Sequence, residues 1–360
     1  MKDNYTIGVE EEYMLCNPND GSLVDKADII MKNIPDLLND RFSYELILSE
    51  IESNTSICNN VSEAILELKK HRTLLNEIGK KNDFAIGISG THPTAKASEQ
   101  TFVQNESYNW VSEQLQYYAT RNITFSTHIH IGVKDLENII KVTNSLRRWI
   151  SPMLALSVNS PFFEGFKTGM HSSRTFQFST FPRTNIPAHI NDLKSYEKLL
   201  DLYKKSNSIA KDRQVWWKIR PHIEYGTVEF RVCDIQGSLE NTEMLISLVQ
   251  SLVHAIIENK DFNNNYDYEV LQDGLWKSAR YGLDAMVIDP MDNQIISMKK
   301  MIENMLDYCS ESLDYFGAKN ITDYVYRTLH YGTESNKQLD VYSKHGFIGL
   351  QKYLIDCNNW

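Results

Sequence analysis

Along residues 5–15 (Y-T-I-G-V-E-E-E-Y-M-L) apolar and polar positions follow the two-residue period of a strand, ending at the turn-forming Asn17-Pro18-Asn19-Asp20-Gly21. Residues 45–51 read as a second extended stretch leading to Asn54-Thr55-Ser56. Asn60 and Glu63 have capping-box spacing, and Val61, Ile65, Leu68, Leu75 and Ile78 fall on one side of the helix that follows. Residues 84–89 predict a buried strand closed by Gly90-Thr91-His92-Pro93, with His92 a turn residue. An aromatic-rich helix over 102–119 and an alternating strand over 123–133 come next. Asp135 then caps a helix with Leu136, Ile139, Ile140, Leu146 and Ile150 at helical spacing. Residues 157–187 are irregular. A helix over 194–206, strands over 216–219 and 226–233, and an amphipathic helix over 242–259 complete the middle. Asn263-Asn264-Asn265 marks a loop, and everything beyond it, through Ile355, reads as helix.

No repeat, low-complexity tract or Pro/Gly/Ser linker interrupts this order, so the expectation is one domain over 1–360 of the α+β class, not a regular βαβ alternation. The composition, 42% hydrophobic with 16 Gly and 9 Pro, is that of a folded chain. A net charge of −10 without any long Lys/Arg run argues against a nucleic-acid partner. No apolar run is long enough to span a membrane, and Met1-Lys2-Asp3-Asn4 leads straight into the first strand with no signal-like core. Five scattered cysteines (Cys16, Cys58, Cys233, Cys309, Cys357) without a C-x-x-C pair argue against a disulfide framework and a zinc ribbon. The cytoplasm is the expected location.

The chemistry lies in ionisable residues two apart on strands, where side chains i and i+2 share a face. Four segments have this spacing, Glu10/Glu12, Glu50/Glu52, His128/His130 and Glu229/Arg231, and Lys218/Arg220 is a fifth. The residues between them are mostly apolar, which predicts a sheet with one hydrophobic and one ionic face. Any single pair reads more simply as a solvated strand face or a weak cross-strand ion pair; four together are harder to dismiss. Gathered carboxylates repel unless cations lie between them, and Mg²⁺ is commonly shared between a few carboxylates and substrate phosphates. Arginines beside such a site suit phosphate or carboxylate oxygens. The set points to nucleotide-dependent phosphoryl chemistry without a P-loop, because neither G-x-x-x-x-G-K-[ST] nor G-x-G-x-x-G occurs. A G-x-S-x-G hydrolase elbow is also missing. Trp216 and Trp217 read as packing residues, and Ser172-Ser173-Arg174 as a loop able to present an arginine to an anion.

Ile7-Gly8-Val9-Glu10-Glu11-Glu12 resembles the opening of the type 2 glutamate–cysteine ligase family, in its bacterial carboxylate–amine ligase branch. Further matching stretches are Glu52-Ser53-Asn54-Thr55, residues 128–133, residues 157–162, Thr168-Gly169 with Ser172-Ser173-Arg174-Thr175, and residues 219–221 and 226–234, with a fainter echo at 279–284. Together they span 7–285 and leave a C-terminal part, 286–360, unmatched. The resemblance implies a glutamine synthetase-like fold: a curved antiparallel sheet forming a funnel, with flanking helices. It implies ATP- and Mg²⁺-dependent activation of a carboxylate, often the γ-carboxyl of glutamate, as an acyl phosphate, followed by attack of an amine such as cysteine. Carried over by position, Glu10, Glu12, Glu52, His130 and Glu229 would be Mg²⁺ ligands, with Glu11 pointing the other way. Arg220 and Arg231 would steady the phosphoryl group with Lys218 nearby on the ATP side, and Arg174 would hold a substrate carboxylate. The partners implied are small molecules, an amino acid and an amine; a homo-oligomer is left open. Family members often carry Tyr or Phe-Ala ahead of Ser-Ser-Arg-Thr, where this chain has Met170-His171, a departure that bears on the acceptor pocket. Two rival readings are a guanidino-kinase-type phosphotransferase and a nucleotide- or metal-binding protein without turnover.

Overall fold

A computed structural model describes residues 5–104, 106–262 and 265–356. Seven strands build one sheet: β1 (Ile7–Cys16), β2 (Phe42–Tyr44), β3 (Glu50–Asn54), β4 (Ala85–Gly87), β5 (Thr127–Gly132), β6 (Ile219–His222) and β7 (Thr227–Phe230). Their order is β2-β3-β1-β5-β7-β6, with β4 also pairing β1, and each of these pairings is antiparallel. The fold is thus a mixture of helices and one antiparallel sheet.

The alternation along the strands sorts the two faces. Ile7, Val9, Ile129, Ile131, Val228 and Phe230 are buried in the largest apolar cluster, together with the helix Leu239–Glu258. Glu11 joins this side, buried in an ion pair with Arg72 of the helix Val61–Lys81, and Tyr13 donates to the same carboxylate. Arg72 donates Nε at 2.9 Å and Nη2 at 2.5 Å to Glu11, and its guanidinium also reaches the carbonyls of Gln236 and Gly237. One arginine thereby fixes the back of β1, a long helix and the chain leaving β7.

Caps and turns follow the sequence closely. Asn60 accepts from Glu63 N, and Asp135 accepts from Glu137 N at the start of Leu136–Leu146. Glu63 reaches back to Asn59 N instead of Asn60 N, one residue early for a full capping box. His92 sits where its turn requires: Nε2 meets Gly21 O at 2.8 Å, and Nδ1 accepts from Thr94 N and Ala95 N.

Three readings of the sequence are corrected. The extended stretch placed over 45–51 joins the sheet only from Glu50 on: Ile47 makes an isolated antiparallel bridge to Phe102, Leu48 N bonds Thr101 O, and Glu50 N turns back to Ile47 O. The strand placed over 216–219 instead starts at Ile219, and its partner is trimmed to Thr227–Phe230. The C-terminal region is not purely helical: a hairpin, Met286–Ile288 with Ile295–Ser297, precedes the helices Met298–Tyr315, Ile321–Tyr331 and Glu334–Asp356. Within the irregular stretch lie a two-residue hairpin, Phe162–Phe163 with Phe166–Lys167, and a short helix, Ser173–Phe178. Met1–Asn4, Asn263, Asn264 and Cys357, named above, lie outside the described residues.

Candidate active site

The front of the sheet carries ionic residues in cross-strand rows set by register. Glu12 faces Glu52 across β1 and β3, Glu10 faces His128 across β1 and β5, and His130 faces Glu229, which in turn faces Arg220, across β5, β7 and β6. Gly8 stands opposite His130, so the third row has no side chain on β1. These rows floor a cavity of about 1510 Å³.

The floor is bonded laterally. His128 Nδ1 lies 2.9 Å from Glu10, and Ser126 Oγ bridges Glu12 at 2.5 Å and His128 Nε2 at 2.8 Å. His130 Nε2 lies 3.2 Å from Glu10 and 3.8 Å from Glu229, yet has no hydrogen-bond partner of proper geometry among the described residues, while its Nδ1 meets Thr227 Oγ1 at 3.0 Å. Glu229 is fully buried, with one oxygen on Arg220 (Nε at 2.5 Å) and the other on Arg231.

Charge is distributed unevenly over this floor. Burial opposes ionisation of Glu10, but the hydrogen bond with His128 and the nearby His130 imidazole outweigh it and hold the carboxyl well below the usual range. Burial likewise opposes ionisation of Glu229, and Arg220, Arg231 and His130 reverse the balance. At the β3 side no cation among the described residues reverses the balance, although Arg174 acts on Glu50 in that direction. Burial and neighbouring carboxylates push Glu45 and Glu50 well above the ordinary range, and burial together with Glu10 brings Glu52 to about 7. Ligand atoms of Glu12, Glu45 and Glu52 lie within 4.8 Å of one another, as do those of Glu10, His128 and Glu229. An all-oxygen trio beside a carboxylate–imidazole trio is a donor set suited to hard divalent cations.

The sequence-derived candidates are therefore placed as follows. Glu10, Glu12, Glu52 and His130 line the cavity, and Glu229 lies behind it, holding Arg220 and Arg231. Arg174 lines the cavity too, but its Nη1 and Nη2 donate to the carbonyls of Val232 and Arg231. Lys218 is buried outside the lining, its Nζ 5.1 Å from the Phe178 ring centre. Burial, with Arg174 and Arg231 beside it, pushes its ammonium well down. His171 is likewise not among the lining residues; it packs on Gly282 and bonds Ser335. Trp216 lines the cavity, whereas Trp217 belongs to a separate apolar cluster with Tyr196 and Leu200. Sequence reading did not single out Glu45 or Ser126, and named His128 without a role. His128 carried a signal, its spacing from His130; Glu45 carried none, because it sits in no strand.

Asp234 explains two of the matched stretches. It accepts from Asn159 N, Ser160 Oγ and Ser172 Oγ at 2.7–3.0 Å, tying the loop after residue 157 to the helix that carries Arg174.

The model of the glutamate–cysteine ligase family 2 matches residues 6–352. The chain belongs to this family. A protein named "Putative glutamate--cysteine ligase 2" from Solibacter usitatus is 33% identical over 99% of this chain and 94% of its own length. The glutamate–cysteine ligase of Francisella tularensis, solved in complex with AMP, superposes with a TM-score of 0.72 at 14% identity, covering 99% of this chain and 88% of its own. A bifunctional glutathione synthetase from Pasteurella multocida gives 0.70 at 12% identity, over 99% and 52%. The protein is an ATP-dependent ligase of the glutamate–cysteine ligase type. No described helix is long and apolar enough to cross a membrane.

Proposed function

We propose that this protein uses ATP and Mg²⁺ to activate a side-chain carboxylate, the γ-carboxyl of glutamate being the first candidate, and joins it to an amine such as that of cysteine. The observation that carries this reading is the asymmetry of the floor: carboxylates without an ion-paired cation among the described residues on the β3 side, and an arginine pair anchored by the buried Glu229 on the other. Glu10, Glu12, Glu52 and His130, with Glu229 behind them, are the residues that would hold Mg²⁺: burial beside Glu10 and Glu12 opposes ionisation of Glu52, and a divalent cation offsets that penalty. Mg²⁺, when bound, offsets phosphate charge.

The chain's own part is positioning. Arg220 and Arg231 stabilise charge on the transferred γ-phosphoryl group. The phosphoryl group passes from ATP to a carboxylate oxygen, leaving ADP. The amine then attacks the acyl carbon and phosphate departs. Arg174, whose Nη groups are taken by carbonyls, contributes positive potential to the inner wall and orders it. We read the sheet as a funnel, the chain as a single catalytic unit that includes 286–360, and its setting as the cytoplasm. Phosphate release from ATP and Mg²⁺ should depend on both an amino acid and an amine, with an amide product. A stable phosphorylated product without free phosphate would overturn the ligase chemistry.

A further inference from the structure

Glu50 stands apart from its acidic neighbours. Glu12 accepts from Ser126, Glu52 accepts from Ser43 and Asn54, and Glu45 shares a hydrogen bond with Glu52. The carboxyl of Glu50, 4% exposed and lining the cavity, has no hydrogen-bond or ion-pair partner among the described residues. The charges that act on it are those of Glu12, Glu52 and Arg174. Arg174 Nε, equally buried on the same wall, also lacks a hydrogen-bond partner. Beside them runs an aromatic wall in which Phe178 meets Phe181 at 6.1 Å and Phe181 meets Trp216 at 5.8 Å. An unbonded buried carboxyl in an otherwise bonded floor is a site awaiting a donor.

We propose that Glu50 binds the α-ammonium of the amino acid whose side-chain carboxylate is activated. This rests on the ligase reading and names one substrate class for it. The spacing supports the assignment. Glu50 and Glu52 share a strand face about 6.8 Å apart, the rise of two strand residues. A short aliphatic spacer therefore carries a substrate carboxylate from an ammonium at Glu50 to the Glu12/Glu45/Glu52 trio. A group paired with Glu50 stays protonated and is not the nucleophile, so the amine acceptor enters from elsewhere in the cavity.

The test compares L-glutamate with glutarate, which lacks only the ammonium. Binding of each to the full chain is measured by calorimetry with Mg²⁺ and a non-hydrolysable ATP analogue, for wild type and Glu50→Gln. Wild type should prefer glutamate by about tenfold or more, the value of a charge-assisted hydrogen bond, and Glu50→Gln should abolish the preference. Equal binding of the two ligands by wild type overturns the assignment even if the variant does not fold. So does a Glu50→Gln protein that keeps the preference, or one that loses Mg²⁺ binding alone. Phosphate release that ignores every amino acid defeats the ligase reading instead, whereas release supported equally by glutamate and glutarate defeats only the role of Glu50.

Discussion

At the scale of single residues, Glu229 and His92 show how burial changes what a side chain does. Glu229 holds two arginines with both oxygens, so Glu229→Gln leaves Arg220 and Arg231 without their shared anion. Turnover should fall by about a hundredfold or more. Removing one partner of a buried pair should also cost about 3–5 kcal/mol, visible as a lowered melting temperature; wild-type turnover would remove Glu229 from the site. His92 is buried with Nδ1 accepting two backbone N–H groups, and burial lowers its pKa to about 4. The unfolded chain takes up this proton near pH 6.5, the folded one only near 4. The contribution of His92 is therefore full above pH 6.5 and is lost as pH falls towards 4, by at most about 3 kcal/mol. Stability of His92→Asn, followed by denaturant titration across that window, should fall less steeply on acidification than wild type. Sequence alone marked His92 as a turn residue from its neighbour Pro93, but the two N–H donors are a property of the folded turn.

At the scale of elements, close approach decides more than propensity. The long helix Val61–Lys81 contains Gly79, whose added Cβ would lie 2.4 Å from the carbonyl oxygen of Phe84. That carbonyl leads into β4, and Gly79 O itself accepts from Asn82 N and Phe84 N. Alanine gains about 1 kcal/mol over glycine in a helix. Overpacking against backbone costs about 1–3 kcal/mol. Gly79→Ala should therefore lower stability despite its better propensity, and an unchanged or raised melting temperature would show that the helix-to-β4 turn yields freely. The helices with strong periodicity and caps were legible from sequence: Asn60 and Asp135 cap where expected. The hairpin at 286–297 was not, because strands of three residues are too short to display a period. The stretch 45–51 misled for a related reason: Ile47 is buried and makes only an isolated bridge to Phe102, outside the main sheet, before Glu50 N turns back to Ile47 O.

At the scale of the whole molecule, the C-terminal part closes the core that the first strand opens. Leu350 and Leu354 are buried in the cluster containing Met14, Leu15, Ile86 and Ile88, and Ile88 N bonds Leu354 O at 3.2 Å. Gln338 reaches Ser89 and Asn159, joining the last helix to both the β4 exit and the loop fixed by Asp234. A chain ending at residue 333 should lose cooperative thermal unfolding and expose apolar surface to a dye such as ANS; a truncated protein that melts cooperatively would show the last helix to be dispensable. By itself, the sequence determined which faces of the strands are ionic, because side-chain direction alternates with an invariant period of two. It also determined that Glu11 turns away from Glu10 and Glu12. Only the tertiary structure decided which charges meet: that Glu45, outside any strand, joins Glu12 and Glu52, that Glu229 serves two arginines, and that Glu50 is left unbonded among the described residues. Those pairings depend on strand order and register, which are set by long-range packing of the sheet against its helices and have no local signature along the chain.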